Sequence, residues 1–183
     1  IGSWLSDLPE DTIRNSASLS VIYCWLIWFQ GKTDKIEPYL ADAERAVSEL
    51  EASTDGETCA ELPAQLMALR SFVARDRNEY ETSIALAKRA ISLIHEEAPS
   101  PANAQSRGML LMTLASAYDG AGDLEKAATA YAETIQWSRW GTNAAGVTGA
   151  TYCLVGVLRL LGRLRAADEA CGAALEYIQE QGM

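Results

Sequence analysis

The chain predicts an all-α fold: a right-handed superhelix of about four helical hairpins, with a short lead-in helix at its start. Three observations carry this. Apolar residues recur at i, i+3, i+4 spacing rather than alternating, so the elements are helices and not strands. The stretch Leu114–Ile135, LASAYDGAGDLEKAATAYAETI, sets small residues on both sides of Gly122, as two short helices around a tight turn require. The same frame fits around Gly31, Asn78 and Gly162, with anchors 47, 44 and 40 residues apart, the period of one helical hairpin.

The elements follow in order. A lead-in helix over Gly2–Asp7 ends at Leu8-Pro9. Eight helices are expected at Ile13–Gln30, Asp34–Ala52, Glu61–Arg75, Glu79–His95, Ala102–Asp119, Leu124–Arg139, Asn143–Leu161 and Leu164–Gln181. Gly31, Gly122 and Gly162 close the first helices of their hairpins, and Asn78 replaces glycine in the second because asparagine tolerates the left-handed conformation. Asp123 is placed to cap its helix, and Ser100-Pro101 supplies a cap and a first-turn proline. The longer linkers Ser53–Thr58 and Glu96–Ser100 mark the joints between hairpins, which span roughly 10–56, 57–100, 101–141 and 142–183 of one continuous domain.

Helices within a hairpin approach to about 8–10 Å only where facing residues are small. Ala115 opposite Ala127, Ser71 opposite Ser83, and Ala43, Ala90 and Ala174 meet that need. Tyr118, Tyr131, Ile27, Leu40 and Leu158 are expected to fill the spaces between hairpins. The second hairpin fits worst. Its Arg70 takes a place held elsewhere by Tyr23, Leu114 and Leu154, so it must snorkel or the register shifts by a residue.

Composition is 49% apolar and 22% charged, enough for a packed core and unlike a disordered chain. A net charge of −10 argues against wrapping a phosphate backbone, which needs clustered Lys and Arg, so no direct nucleic-acid contact is expected. The acidic residues read as solvated helix exteriors. The apolar run Leu19–Phe29 has 11 residues, too short for a membrane span of about 20. It reads instead as a helix buried in protein or partly exposed as a binding face. Cys24, Cys59, Cys153 and Cys171 show no paired spacing and read as buried, reduced structural thiols of a cytoplasmic protein, Cys24 and Cys171 at small-residue contact positions and Cys59, in a polar loop, the most reactive. The opening at Ile1 and the close just after a helix suggest a fragment of a longer protein.

The segment GMLLMTLASAYDGAGDLEKAATAYAETI resembles a tetratricopeptide repeat over its full length. Trp4-Leu5, Leu8-Pro9, the apolar helix carrying Trp25 and ending Gln30-Gly31, and the tail Ala43-Glu44-Arg45-Ala46-Val47 are similar to the helical-repeat region of MalT-like, large ATP-dependent LuxR-type transcriptional regulators. Ala17 departs from that pattern, where the family often has proline. The resemblance implies a sensor superhelix between an ATP-binding switch and a DNA-binding helix-turn-helix, receiving a small-molecule inducer or a protein effector. No GxxxxGK[ST] stretch and no basic recognition helix occurs in these residues, so the cofactor expectation for this fragment is none, with ATP implied for a separate N-terminal domain.

Catalysis finds no support in the residues. The one histidine, His95, stands beside Glu96 and Glu97 at a helix end, where the helix dipole accounts for it. No Ser/His/Asp set or metal-ligand spacing is present. Binding is better supported, because in stacked hairpins the first helices line the concave side. Their exposed stripe is expected to hold Val21, Trp25, Trp28 and Phe29, then Gln65, Ala68, Phe72, Arg75 and Asp76. It continues through Met109, Met112, Ser116 and Asp119 to Tyr152, Gly156 and Arg159. Aromatic faces among Arg, Asp and Ser suit a sugar ring or an apolar peptide side chain. For Trp25, and for Trp28 with Phe72, the alternative is packing inside the superhelix. Trp137 and Trp140 are expected to plug the joint to the fourth hairpin, and exposed Leu175 and Ile178 leave self-association open. A heat-shock-chaperone clamp is not expected, since Val21, Trp25, Met109 and Thr113 stand where its Lys, Asn and Arg belong. The leading reading is an effector-sensing or interaction region; the rival is a protein-interaction scaffold with no role in transcription.

Overall fold

A computed structural model describes residues 8–53, 61–93 and 101–182, and among these the structure is helical throughout, without strands. The lead-in helix, Cys59, His95, Glu96 and Glu97 lie outside the described residues. Helix α1 (Glu10–Arg14) precedes four antiparallel pairs. These are α2 (Ala17–Phe29) with α3 (Ile36–Ser53), and α4 (Glu61–Asp76) with α5 (Tyr80–Leu93). The third pair is α6 (Pro101–Gly120) with α7 (Leu124–Trp140), and the fourth α8 (Ala144–Leu160) with α9 (Leu164–Glu180).

One helix differs from expectation. Ile13–Gln30 is broken at Asn15-Ser16, and Ser16 caps α2 by accepting from the Leu19 amide at 3.5 Å. The chain bends there because a serine hydroxyl offers the amides what a continuing helix would otherwise supply. The Ser20 hydroxyl ties the bend down by donating to the Ile13 carbonyl at 2.7 Å.

The turns repeat one hydrogen-bond pair. After α2, the Lys32 amide bonds Ile27 O and the Gly31 amide bonds Trp28 O; the same 6→1 and 5→2 bonds follow α4, α6, α7 and α8. Each needs one residue at positive φ: Gly31 at 70°, Asn78 at 61°, Gly122 at 79°, Thr142 at 50° and Gly162 at 73°. All four anchors of the sequence frame occupy this position. Thr142 is the strained member, since a β-branched side chain there meets its own backbone. It makes the joint between the third and fourth hairpins as tight as a turn within a hairpin. Asp123 and Asn143 then cap the following helices, accepting from the Lys126 and Gly146 amides at 3.3 and 3.0 Å.

Within hairpins the small residues meet as expected. Ala43, Ala90, Ala115 and Ala127 are fully buried. Ser71 and Ser83 each donate to the other's carbonyl at 2.8 Å, so this polar pair is satisfied without water. Between hairpins, Tyr118, Tyr131, Ile27, Leu40 and Leu158 are buried. The apolar core has two main parts. One joins the first hairpin to Leu66, Leu69 and Val73 of α4; the other runs from Ala87 of α5 through the third and fourth hairpins. The division therefore falls inside the second hairpin.

Successive first helices touch, α2 on α4, α4 on α6 and α6 on α8, while among the described residues the second helices make no comparable contact with one another. The first helices thus line the inner side of the stack. Two further expectations are corrected. Cys171 is exposed, while Cys24 is buried and Cys153 half-buried. Trp137 lies under the Arg107 guanidinium of its own hairpin at 4.8 Å, and Trp140 is 53% exposed instead of plugging the next joint.

Candidate functional site

The inner side carries a strip that begins on α2. Trp25, Trp28 and Phe29 fall one helical turn or one residue apart, so their rings cluster: Trp25 and Trp28 meet edge to face at 6.0 Å, and Trp28 and Phe29 at 5.1 Å. Phe72 of α4 reaches across the joint to Trp28 at 4.5 Å and Trp25 at 5.8 Å. On its far side the Arg75 guanidinium stands 5.1 Å from the Phe72 ring centre. Arg75 then donates to Ser116 Oγ on α6 at 3.2 Å and to Asp76 Oδ1 at 2.7 Å. Rings and polar groups so pass without a gap over three first helices.

Beyond Arg75 the surface sinks into two adjoining depressions. The first, about 430 Å³, is polar and lined by Arg75, Asp76, Asn78, Tyr80, Ser116 and Asp119. Gly120 also lines it, and a methyl group there would overlap the Tyr80 ring. The Tyr80 hydroxyl is held by Asn78 Oδ1 at 2.6 Å. The second, about 770 Å³, is largely apolar and lies along α8, with Tyr152, Val155, Leu160, Leu164 and Arg159 in its walls. Asp119 lines both. Beneath it, burial pushes the Tyr131 phenol above its ordinary range, with Cys153 and the Asp119 carboxylate adding to the effect.

The expected stripe needs three corrections. Phe72 is only 4% exposed, packed between Trp28, Trp25 and Arg75, and supports the strip from below. Val21 and Ala68 are fully buried because neighbouring first helices press on that face. Trp25, Trp28, Arg75, Met112, Ser116 and Asp119 are half-buried, while Phe29, Asp76, Tyr152 and Arg159 are exposed. Met112 also packs against the core of the third and fourth hairpins. Asn78, Tyr80 and Gly120 join the polar depression without having been expected there. The Asp119-Gly120 pair beside a turn glycine was the signal for a close approach.

The outer side of the first joint is electrostatic. Arg70 of α4 donates to both Glu44 oxygens at 2.7 and 2.9 Å and to Glu37, and Arg77 joins Glu37 at 3.1 Å. The Arg70 hydrogen bond holds the Glu37 carboxyl below its ordinary 4.5, and Arg77 adds to it. Under this network, burial drives the Cys24 thiol up to about 12, which leaves it unreactive. Arg70 does snorkel, and the register is kept.

No group of three or more metal-binding side chains occurs among the described residues, and no described helix is long and apolar enough to cross a membrane. No curated protein matches the chain. A family match takes in the inner strip from Phe72 onward and leaves out the first hairpin with its three ring residues. Residues 64–183, well over half of the chain, match the family described as the MalT-like TPR region, and the chain belongs to that family.

Proposed function

We propose that this region is a non-catalytic sensor of a MalT-like regulator, which binds a small-molecule inducer or a protein effector on its inner strip. The observation that carries this reading is the unbroken path from Phe29 through Trp28, Phe72 and Arg75 to Ser116. Such a path offers ring faces beside hydrogen-bonding groups, the mixture that ligand sites combine. It also crosses the sparse first joint, so an occupant that bridges α2, α4 and α6 favours one setting of the first hairpin over others. In this reading the region itself holds no cofactor, makes no nucleic-acid contact and works in the cytoplasm. ATP-dependent activation and DNA binding belong to other domains of the same regulator.

Trp25 and Trp28 supply the test. Fluorescence of the chain is titrated with mono- to trisaccharides and with a pool of cytoplasmic proteins. A saturable change that Trp28→Ala and Arg75→Ala remove, with helical circular dichroism intact, is the expected result. Binding that survives both variants overturns the strip assignment. A full reading frame with neither an upstream nucleotide-binding loop nor a downstream helix-turn-helix would instead make this a scaffold outside transcription.

A further inference from the structure

The outer sides of the first and second joints are filled differently. At the first, Arg70 bonds Glu37 and Glu44, which stand six and thirteen positions after Gly31. Six and thirteen positions after Asn78 stand Ile84 and Ile91, both packed against the core, and Leu114 takes the place of Arg70. With no guanidinium there, Leu114 lines a hollow of about 340 Å³ whose walls share no residue with the inner strip.

The buried lining of this hollow is Leu111, Leu114 and the Tyr118 ring of α6 with Ala130 of α7. Its rim is charged. Two of the four lysines of a chain with net charge −10 stand over the Tyr118 ring, Lys88 of α5 at 5.7 Å and Lys126 of α7 at 5.5 Å from its centre. The ring face attracts ammonium groups and so gathers both at one place. Lys126 is answered by Asp123 at 2.6 Å. Among the described residues Lys88 has no carboxylate partner and the Tyr118 hydroxyl no hydrogen-bond partner. Of the carboxylates in the walls, Glu125 is taken by Arg163 at 2.9 and 2.8 Å. Glu133 is exposed and lies seven residues beyond Lys126, about 10 Å along α7. Because α6 and α7 run antiparallel, Leu114 and Leu111 follow Tyr118 in the direction of Glu133.

We propose that this hollow is a second ligand site, on the outer side of the stack, for a small molecule with one carboxylate head on an apolar body. The head accepts from the Tyr118 hydroxyl and pairs with Lys88, while Lys126 adds its charge. The body lies on Leu114 and Leu111, and Glu133 turns away a second anionic group. A volume of about 340 Å³ is at the low end of small-ligand sites, about 300–1,000 Å³, so the occupant is one small molecule. Through Lys88 it touches the second hairpin and through α6 and α7 the third, so its binding bears on the second joint.

The test is calorimetric titration of the chain with phenylbutyrate, phenylbutanol and phenylbutylammonium, which share one body and differ in head charge. The carboxylate should bind tightest, at one site per chain, and the ammonium weakest. Lys88→Gln and Tyr118→Phe, which keeps the ring, should each weaken phenylbutyrate about threefold to fivefold, the range of an exposed charged contact. Glu133→Gln should tighten it. Thr129→Trp, a change at the exposed rim that plugs the hollow, should abolish binding with helical circular dichroism intact. Trp28→Ala and Arg75→Ala should change nothing. Equal binding of the three heads, or a weaker complex in Glu133→Gln, overturns the single anionic head. Binding that survives Thr129→Trp, that is lost instead on Trp28→Ala, or that is absent for every probe overturns the outer site. None of these results decides the inner strip, which stands or falls by the saccharide titration.

Discussion

The first and third joints of this stack are built from different materials. At the third, α7 meets α8 along a long face of small and aromatic residues, with Tyr131 only 1% exposed and Gly146 of α8 against Ser138 of α7. At the first, α3 meets α4 sparsely, and the contact is carried by Arg70 with Glu44 and Glu37 outside and by Trp28 with Phe72 inside. Both joints carry apolar packing, which at the first includes Leu66, Leu69 and Val73 of α4, but only the first adds this ion-pair network outside and these stacked rings inside. Close packing has one good solution and resists change, whereas ion pairs and ring contacts allow more than one arrangement.

The contrast can be broken most sharply at Tyr131. Tyr131→Ala empties a buried ring site and should cost about 3–5 kcal/mol in urea unfolding followed by circular dichroism. A loss below 1 kcal/mol would mean that shape does not hold the third joint. Arg70→Ala should cost less, about 1 kcal/mol, since its partners Glu37 and Glu44 are close to half exposed and screened. That cost should shrink in 0.5 M salt, while the Tyr131→Ala cost should not. Arg70→Leu, which copies Leu114 and Leu154 of the later hairpins, should recover most of the loss.

Acid sharpens the same difference. The folded Glu37 pKa is depressed below 4.5, so its contribution is fully present above that value and is lost as pH falls through the folded pKa. Tryptophan emission should therefore shift below about pH 4.5 in the native chain, with a smaller shift in Arg70→Leu. An identical titration in both would remove Glu37 from the account. The turns give effects of about this size or smaller. Thr142→Gly should stabilise by about 1 kcal/mol in a thermal melt, by relieving a left-handed threonine, and Asn78→Gly by only a few tenths.

The fold was legible because its punctuation is stereochemical. Positive φ admits few residues, so Gly31, Asn78, Gly122 and Gly162 announce their turns without any knowledge of packing. Thr142 escaped because nothing in a threonine signals that conformation. The break at Ser16 was missed because an apolar run dominated the reading of a SAS sequence that also offers a cap. For the candidate site, placement on the inner face was legible and exposure less so. Projection from the anchors placed Trp28, Arg75, Ser116 and Asp119 on the inner face, but could not tell that neighbouring first helices would bury Phe72, Val21 and Ala68. That burial comes from spacing between hairpins, which no single hairpin encodes. Arg70 looked like a misfit until Glu37 and Glu44, some thirty residues earlier, were seen opposite it.

The repeated turn has a kinetic consequence. Each is closed by bonds between residues no more than five apart, and each hairpin is complete within some forty residues. Little loop entropy stands in the way of any one hairpin, so folding can start at several points and spread to neighbours. The close packing of the third joint predicts that it forms early and that the first hairpin docks late. Amide protons of α2 and α3 should then exchange before those of α7 and α8, and an occupant of the inner strip should slow that early exchange first.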